Sequence, residues 1–263
     1  MYAIYALKGN YEFQHNIIET VLPVFYCGGG TKRIIENDIT CPKLFYNSGF
    51  NNGRITGNII NGNISIPGTD TIIDSNRITG TIETTPPYEY VKVKKIADKN
   101  PKENNWYEFV DNEYVLTDDT ESTEGKIYYK LTTHSDARSR ITNNVILDPT
   151  EGGTLFEAID EVYFSNNRIR NIRFKMVEDG VFTNNEIAFN ANFVNDGGII
   201  INVPYSTFSN NTINYAGSDL EDKGVYLIRA KTISNNIIRS SQKIRYVFYT
   251  RTGGSAYIEG NIL

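Results

Sequence analysis

Two cysteines, two histidines, two methionines and one tryptophan are all that 263 residues contain of those types, and each scarcity closes off a class of protein. A structural zinc site takes four Cys or His ligands, so no such metal site is expected. No uninterrupted apolar run approaches the ~18 residues that a membrane span needs. Met1-Tyr2-Ala3-Ile4 also lacks the basic segment and long apolar core of a secretion signal, so export by the usual route is not expected. Basic residues are outnumbered 26 to 31 by acidic ones, giving a net charge of −5 and a pI near 5.2. Such a surface has no long-range attraction for nucleic acid or an anionic bilayer, and neither is expected as a partner.

What the chain does have is aromatic and β-branched. Its 18 Tyr and 13 Phe are foreign to a disordered chain. A six-residue pattern also recurs, seen in Phe208-Ser209-Asn210-Asn211-Thr212-Ile213. The template "apolar, any, any, Asn, any, Ile or Leu" centres on Asn16, Asn37, Asn58, Asn76, Asn144, Asn167, Asn185, Asn211, Asn236 and Asn261. Three residues earlier stand Phe13, Ile34, Ile55, Ile73, Ile141, Phe164, Phe182, Phe208, Ile233 and Ile258. Two residues later stand Ile18, Ile39, Ile60, Ile78, Ile146, Ile169, Ile187, Ile213, Ile238 and Leu263.

Successive centres differ by 21, 21, 18, 68, 23, 18, 26, 25 and 25 residues. A period of that size indicates a solenoid in which each coil buries its apolar face against the next. Leucine-rich repeats share the period but require Leu at fixed positions, where this chain has Ile, Phe and Val, residues that favour strands. The fold class expected is therefore all-β, a solenoid of about ten coils with something set into it.

In an extended strand alternate residues share a face. The residue three before the Asn and the one just before it are thus expected to point inward together. The Asn itself is placed at the bend, in the left-handed region it tolerates. Stacked at ~4.8 Å, the ten amides can bond into a ladder. Cys27 and Cys41 fall at different offsets, 11 after Asn16 and 4 after Asn37, so two buried thiols are expected rather than a disulfide. Gly28-Gly29-Gly30, Gly152-Gly153, Gly197-Gly198 and Gly253-Gly254 fit longer corners. With no GK[ST] motif they are not phosphate cradles, and no cofactor is expected.

The units Thr142-Asn143-Asn144-Val145-Ile146, Ser165-Asn166-Asn167-Arg168-Ile169, Thr183-Asn184-Asn185-Glu186-Ile187, Ser209-Asn210-Asn211-Thr212-Ile213 and Ser234-Asn235-Asn236-Ile237-Ile238 resemble the right-handed parallel β-helix family. That family includes pectate-lyase-like enzymes and phage tailspikes. The resemblance implies a right-handed, single-stranded parallel β-helix over residues 1–85 and 134–263. It implies no particular activity, because lyases, hydrolases, epimerases and adhesins share the scaffold.

Residues 86–133 account for the 68-residue gap and are expected to be an inserted β module, entered at Pro86-Pro87. Its alternating runs are Tyr88 to Val93, Trp106 to Val110, Tyr114 to Thr117 and Ile127 to Leu131, with Asp111-Asn112 as a hairpin turn. The string Asn100-Pro101, Trp106-Tyr107-Glu108, Tyr114-Val115-Leu116-Thr117, Asp119-Thr120, Gly125-Lys126, Tyr128-Tyr129 looks like a short β module of bacteriophage tail and fibre proteins. Trp106, Tyr107, Tyr128 and Tyr129 are candidates for a sugar-stacking platform, or the core of a small domain.

Two further sets of candidate site residues follow from counting back from the Asn. Asp160 and Glu178 lie seven before it, Glu161 and Asp179 six before it. Stacked at ~4.8 Å they would approach the ~5 to 5.5 Å separation of a retaining glycosidase pair, and mutual repulsion could supply a general acid. Acidic residues beside glycine are equally ordinary solvated turns. Arg33, Arg54 and Arg140 stand four before their Asn and face outward, with Tyr163 and Tyr257 continuing the column. That column suits carbohydrate binding by hydrogen bonds and stacking, or is plain strand surface. One residue after the Asn, Ile17, Ile59, Val145, Ile237 and Ile262 suggest an outer face covered by another subunit. Tailspike-like β-helices assemble as trimers, so a homotrimer is expected.

The expected function is a non-enzymatic virion component, tail-fibre or tailspike-like. Its partners would be host surface glycan and other virion proteins, with the chain a segment of a larger assembly. The alternative is a polysaccharide lyase or glycoside hydrolase using Asp160, Glu161, Glu178 and Asp179. A spacer without ligand is the third reading.

Overall fold

The computed structural model describes residues 3–29, 31–45, 52–66, 70–80, 82–84, 88–93, 106–110, 113–117, 128–133, 138–147, 154–157, 161–175, 179–191, 193, 198–220, 226–249 and 256–263. Every named element in them is a β-strand. The chain divides into two compact units, Met1–Thr85 with Asp136–Leu263, and Pro86–Ser135.

The larger unit is a parallel β-solenoid whose order is set by amides. The Asn16 backbone N–H and Nδ2 both donate to Asn37 Oδ1, at 2.9 and 3.0 Å. Asn37 does the same to Asn58 Oδ1 at 2.9 and 3.0 Å, and the relay continues through Asn76, Asn144, Asn167, Asn185, Asn211 and Asn236 to Asn261. Each Nδ2 from Asn37 onward also donates to the carbonyl three residues before the previous ladder member, as Asn58 does to Ile34 at 2.8 Å. Asn37 through Asn236 are buried. Interior amides of this kind are tolerated only when satisfied, and the ladder satisfies them.

The ladder passes from Asn76 to Asn144 at 3.0 Å across the 68-residue interruption. Around it Ile72 pairs with Arg140 and Arg77 with Val145 in unbroken parallel register. The coil before the interruption and the coil after it are neighbours in the stack.

The sequence puts the ladder Asn at the left-handed corner, facing away from the inward residue before it; the structure shifts both roles by one. The left-handed residue is the one preceding the ladder Asn: His15, Glu36, Ser75, Asn143, Asn166, Asn184, Asn210 and Asn235 have φ from 52° to 58°, and Gly57 and Gly260 have 69° and 64°. These corner side chains are exposed rather than inward. The reason is the ladder itself, since the Asn amide must enter the interior to reach the next coil. The preceding residue is left to make the turn, which favours Asn and Gly. A second left-handed corner stands six before the ladder Asn, at Asn52, Asp70, Glu161 and Asp179, with φ of 49° to 54°.

Between these corners runs a three- or four-residue strand, as in Lys32–Ile35 and Val181–Thr183, and beyond the ladder Asn another, as in Asp38–Lys43 and Glu186–Phe189. Their inward residues are the two template columns. Ile34, Ile55, Ile73, Ile141, Phe164, Phe182, Phe208 and Ile233 are buried from one side; Ile39, Ile60, Ile78, Ile146, Ile169, Ile187, Ile213 and Ile238 are buried from the other. Burying one such side chain contributes roughly 1.5–3 kcal/mol. A third track supplies Ile64, Ile82, Phe174, Ile201 and Ile228. Phe174 lies edge-on to Phe164 and Phe182 at 5.4 and 4.9 Å, closing the interior from that side. In Ile199–Ser209 the third and first tracks fuse into one strand whose register shifts between Val203 and Thr207. Pro204 falls at that irregularity, where a missing N–H removes no ladder bond.

Space between tracks is tight after the second. A Cβ at Gly62 would collide with the Cys41 carbonyl. Cys41 is a buried free thiol, pushed up to about 11 by burial against a smaller opposing effect of a backbone hydrogen bond at Lys43. The Cys27 side chain lies outside the described residues.

The smaller unit contains a four-stranded antiparallel sheet in the order Tyr88–Val93, Tyr128–Thr133, Trp106–Val110, Glu113–Thr117. Val110 pairs with Glu113 at the close of a hairpin.

Candidate functional site

Parallel register converts an offset from the Asn into a straight row on the surface. Four residues before the ladder Asn, Glu12 pairs with Arg33, Arg33 with Arg54 and Arg54 with Ile72. Ile72 pairs with Arg140, Arg140 with Tyr163 and Tyr163 with Val181, followed by Thr207, Thr232 and Tyr257. All face outward because their neighbours on either side belong to the interior. Arg33, Arg54, Arg140 and Tyr163 thus stand in one row, as their spacing indicates. At ~4.8 Å per coil, Arg33 and Arg140 are three steps apart, roughly 14 Å.

The arginines differ in what they touch. Arg33 Nη1 lies 3.4 Å from Glu12 Oε2, both exposed. Arg54 has no ion-pair partner among the described residues. Arg140 sets its guanidinium 5.7 Å from the centre of the Tyr163 ring, a cation–π contact that holds the ring against the row. At one end of the row a hollow of about 350 Å³ is lined by Asn10, Tyr11, Glu12, Thr31 and Arg33. Asn10 is held there by the Thr31 N–H, which donates to its Oδ1 at 3.0 Å. Glu12, Asn10 and Thr31 were not singled out from the sequence. Extending the count of four and six residues back to the first two coils would have found them.

The acidic candidates fall differently. Glu161 and Asp179 occupy equivalent corners on adjacent coils, since Tyr163 pairs with Val181, and both are exposed with φ of 52° and 49°. They share that corner with Asn52 and Asp70, so a solvated turn accounts for a polar residue there, and its local backbone bonding for Asp179 in particular. Asp160 and Glu178 lie outside the described residues. No group of three or more His, Cys, Asp or Glu able to hold a metal occurs among the described residues.

A carboxylate not foreseen is Asp74, two before a ladder Asn. It accepts from the Thr142 hydroxyl, from Asn143 Nδ2 at 2.8 Å and from the Ser75 hydroxyl at 2.9 Å. Burial alone would raise its carboxyl, but these three donors outweigh it and hold it below its ordinary 3.8. The cluster ties the coil before the interruption to the coil after it.

In the small unit Trp106 pairs with Lys130, Tyr107 with Tyr129 and Glu108 with Tyr128; the side chains of Trp106, Tyr107, Tyr128 and Tyr129 lie outside the described residues. The outer row one after the Asn is not a continuous aliphatic stripe. Ile17, Ile59 and Ile262 are exposed, but Asp38 separates Ile17 from Ile59 and Arg77 separates Ile59 from Val145. Farther along, Arg168 and Glu186 pair at 3.4 Å in the same row.

No protein-family model matches the chain, and no curated protein matches it in sequence. The β-solenoid therefore stands on the chain's own register.

Proposed function

We propose that the protein is a non-enzymatic surface-recognition component, tail-fibre or tailspike-like, that contacts host surface glycan along the outer row of Arg33, Arg54, Arg140 and Tyr163. One observation carries this reading: the row is in parallel register and presents Arg54 and Arg140 without carboxylate partners among the described residues. Guanidinium groups hydrogen-bond hydroxyls and carboxylates, and a ring held by an arginine offers a face to a sugar. A row on a rigid sheet keeps those groups at fixed spacing, which lowers the ordering entropy of binding. The virion setting is favoured by the resemblance of the insert to phage tail modules.

Binding of isolated bacterial surface polysaccharides on an array tests the reading. Arg54→Glu combined with Arg140→Glu is expected to weaken binding at least tenfold while the folded signal is unchanged. Absence of binding to any surface glycan would leave a spacer. Depolymerisation abolished by Glu161→Gln or Asp179→Asn would establish the hydrolase or lyase instead.

A further inference from the structure

The hollow at the first end of the arginine row has a chemistry that the row lacks. Two adjacent coils build it in register: Tyr11 pairs with Lys32 and Glu12 with Arg33, and the corner residues Asn10 and Thr31 complete its lining. The two corners are locked to each other, because the Thr31 N–H donates to Asn10 Oδ1 at 3.0 Å and the Tyr11 N–H donates to the Thr31 carbonyl at 2.9 Å. Tyr11 packs against Phe13 with ring centroids 6.4 Å apart and serves only as a wall. At about 350 Å³ the hollow lies at the lower end of the ~300–1,000 Å³ of small-molecule sites, which is room for one sugar ring rather than a chain.

The groups left unbonded around it are mixed in kind. Asn10 Nδ2 and the Thr31 hydroxyl make no hydrogen bond among the described residues. Arg33 meets Glu12 only through Nη1 and Oε2, at 3.4 Å with both side chains exposed, which leaves Nε and Nη2 on one and Oε1 on the other. The amide and guanidinium nitrogens donate, the carboxylate accepts and the hydroxyl does both. Sugar hydroxyls also do both, and so match every member of the set. One carboxylate faces one guanidinium, so the lining carries no net charge, and a carboxylate on the ligand would meet Glu12 at close range. The equivalent corner of the coils flanking the interruption is built otherwise: Arg138 Nε lies 3.3 Å from Asp70 Oδ1, and the two charges satisfy each other across the turn.

We infer that Asn10, Glu12, Thr31 and Arg33 form a binding site for one neutral, hydroxyl-rich pyranose. The inference rests on the glycan-binding reading and deepens it: the row carries the glycan chain and the hollow takes its terminal residue. Glu12 accepts from the sugar hydroxyls and excludes acidic sugars, while Asn10, Thr31 and Arg33 donate to the same ring.

The test is titration of the whole chain with the methyl glycosides of glucose, galactose, mannose and N-acetylglucosamine, and with the methyl glycoside of glucuronate as the acidic counterpart, followed by backbone amide chemical shifts. Saturable shifts in residues 10–12 and 31–33 with at least one neutral glycoside, and about tenfold weaker binding of the glucuronide, are expected. Glu12→Gln should remove that discrimination, which a merely structural residue would not do. Thr31→Val keeps the N–H that holds Asn10 and should weaken the neutral glycoside about fivefold. Both variants alter exposed residues, and unchanged shifts along the Asn ladder verify the fold. Arg54→Glu combined with Arg140→Glu should weaken polysaccharide binding but leave the glycoside shifts in place. Glycoside shifts without polysaccharide binding would remove the row and keep the hollow as a sugar site; polysaccharide binding without glycoside shifts would keep the row and overturn the inference. Equal binding of the glucuronide, discrimination retained in Glu12→Gln, or binding undiminished by Thr31→Val would each overturn it as well.

Discussion

The solenoid turns two corners with the same backbone conformation and stabilises them by different means. At the corner before the ladder Asn, the left-handed residue is followed by a buried amide that bonds the coils on both sides. At the corner six before it, Asn52, Asp70, Glu161 and Asp179 adopt the same φ range but no Asn ladder follows them. The next inward positions there are Gly53, Thr71, Val162 and Gly180. The first corner is specified by bonding and tolerates one residue type at its buried position. The second is specified by backbone preference and tolerates several. Invariance in this chain therefore marks where a polar group is buried, and variety marks where the turn is solvated.

The largest break in that comparison is expected at the ladder. Asn144→Ala removes the acceptor for the Asn76 N–H and Nδ2 and the donor to the Ile73 carbonyl. Orphaned buried groups cost about 1–3 kcal/mol each, so urea unfolding should show a loss of ~3–5 kcal/mol. A loss under ~1 kcal/mol would mean the amides are not what orders the stack. Next in size, Asn184→Val and Asp179→Val place a β-branched residue in the left-handed region. Each should lower stability by ~1–2 kcal/mol, and nearly equally, because only the backbone is at stake. A much larger loss for one would show that the corners are not conformational equivalents.

Glycine sharpens the same point with the opposite sign. Glu161→Gly should raise stability, or leave it unchanged within ~1 kcal/mol, and should leave the proposed glycan binding unchanged. Loss of an activity with retained stability would move Glu161 from turn to chemistry.

The smallest effect concerns pH. Asp74 is held below its ordinary 3.8 in the folded chain, so its contribution is present above the unfolded value and is lost as pH falls through the lower folded value. Asp74→Ala should reduce stability at neutral pH and flatten the acid side of the stability profile, as followed by thermal unfolding. The carboxylate is partly solvated, so screening keeps the effect small. An unchanged acid slope would remove Asp74 from the junction between the coils flanking the interruption.

The repeat was legible because a buried polar column admits no substitution, and Ile or Phe beside it must fill a fixed volume. Offsets from the Asn then located the arginine row and the interruption, and residue alternation located the antiparallel strands of the insert. The corner was misplaced by one residue because Asn-Asn pairs, as at Asn143-Asn144 and Asn210-Asn211, suit both the turn and the ladder, and composition does not say which is which. His15, Glu36 and Ser75 at the same position show that the first of the pair is the exposed one. The third track was invisible for another reason. Coil length varies between one ladder Asn and the next, so its residues have no fixed offset to count from.

The amide ladder also has a direction. Every described link runs the same way, with Nδ2 of one Asn donating to Oδ1 of the next in rising residue number. The side-chain dipoles are thus aligned head to tail along the stack, and chains of such bonds polarise one another. Backbone bonds between strands do not share this bias, because sheets carry small net dipoles. The two ends of the amide column are consequently not equivalent: Oδ1 of each Asn from Asn37 to Asn261 accepts from the Asn of the coil before it, so a further coil added beyond Asn261 would have to supply an acceptor, and one added before Asn16 a donor.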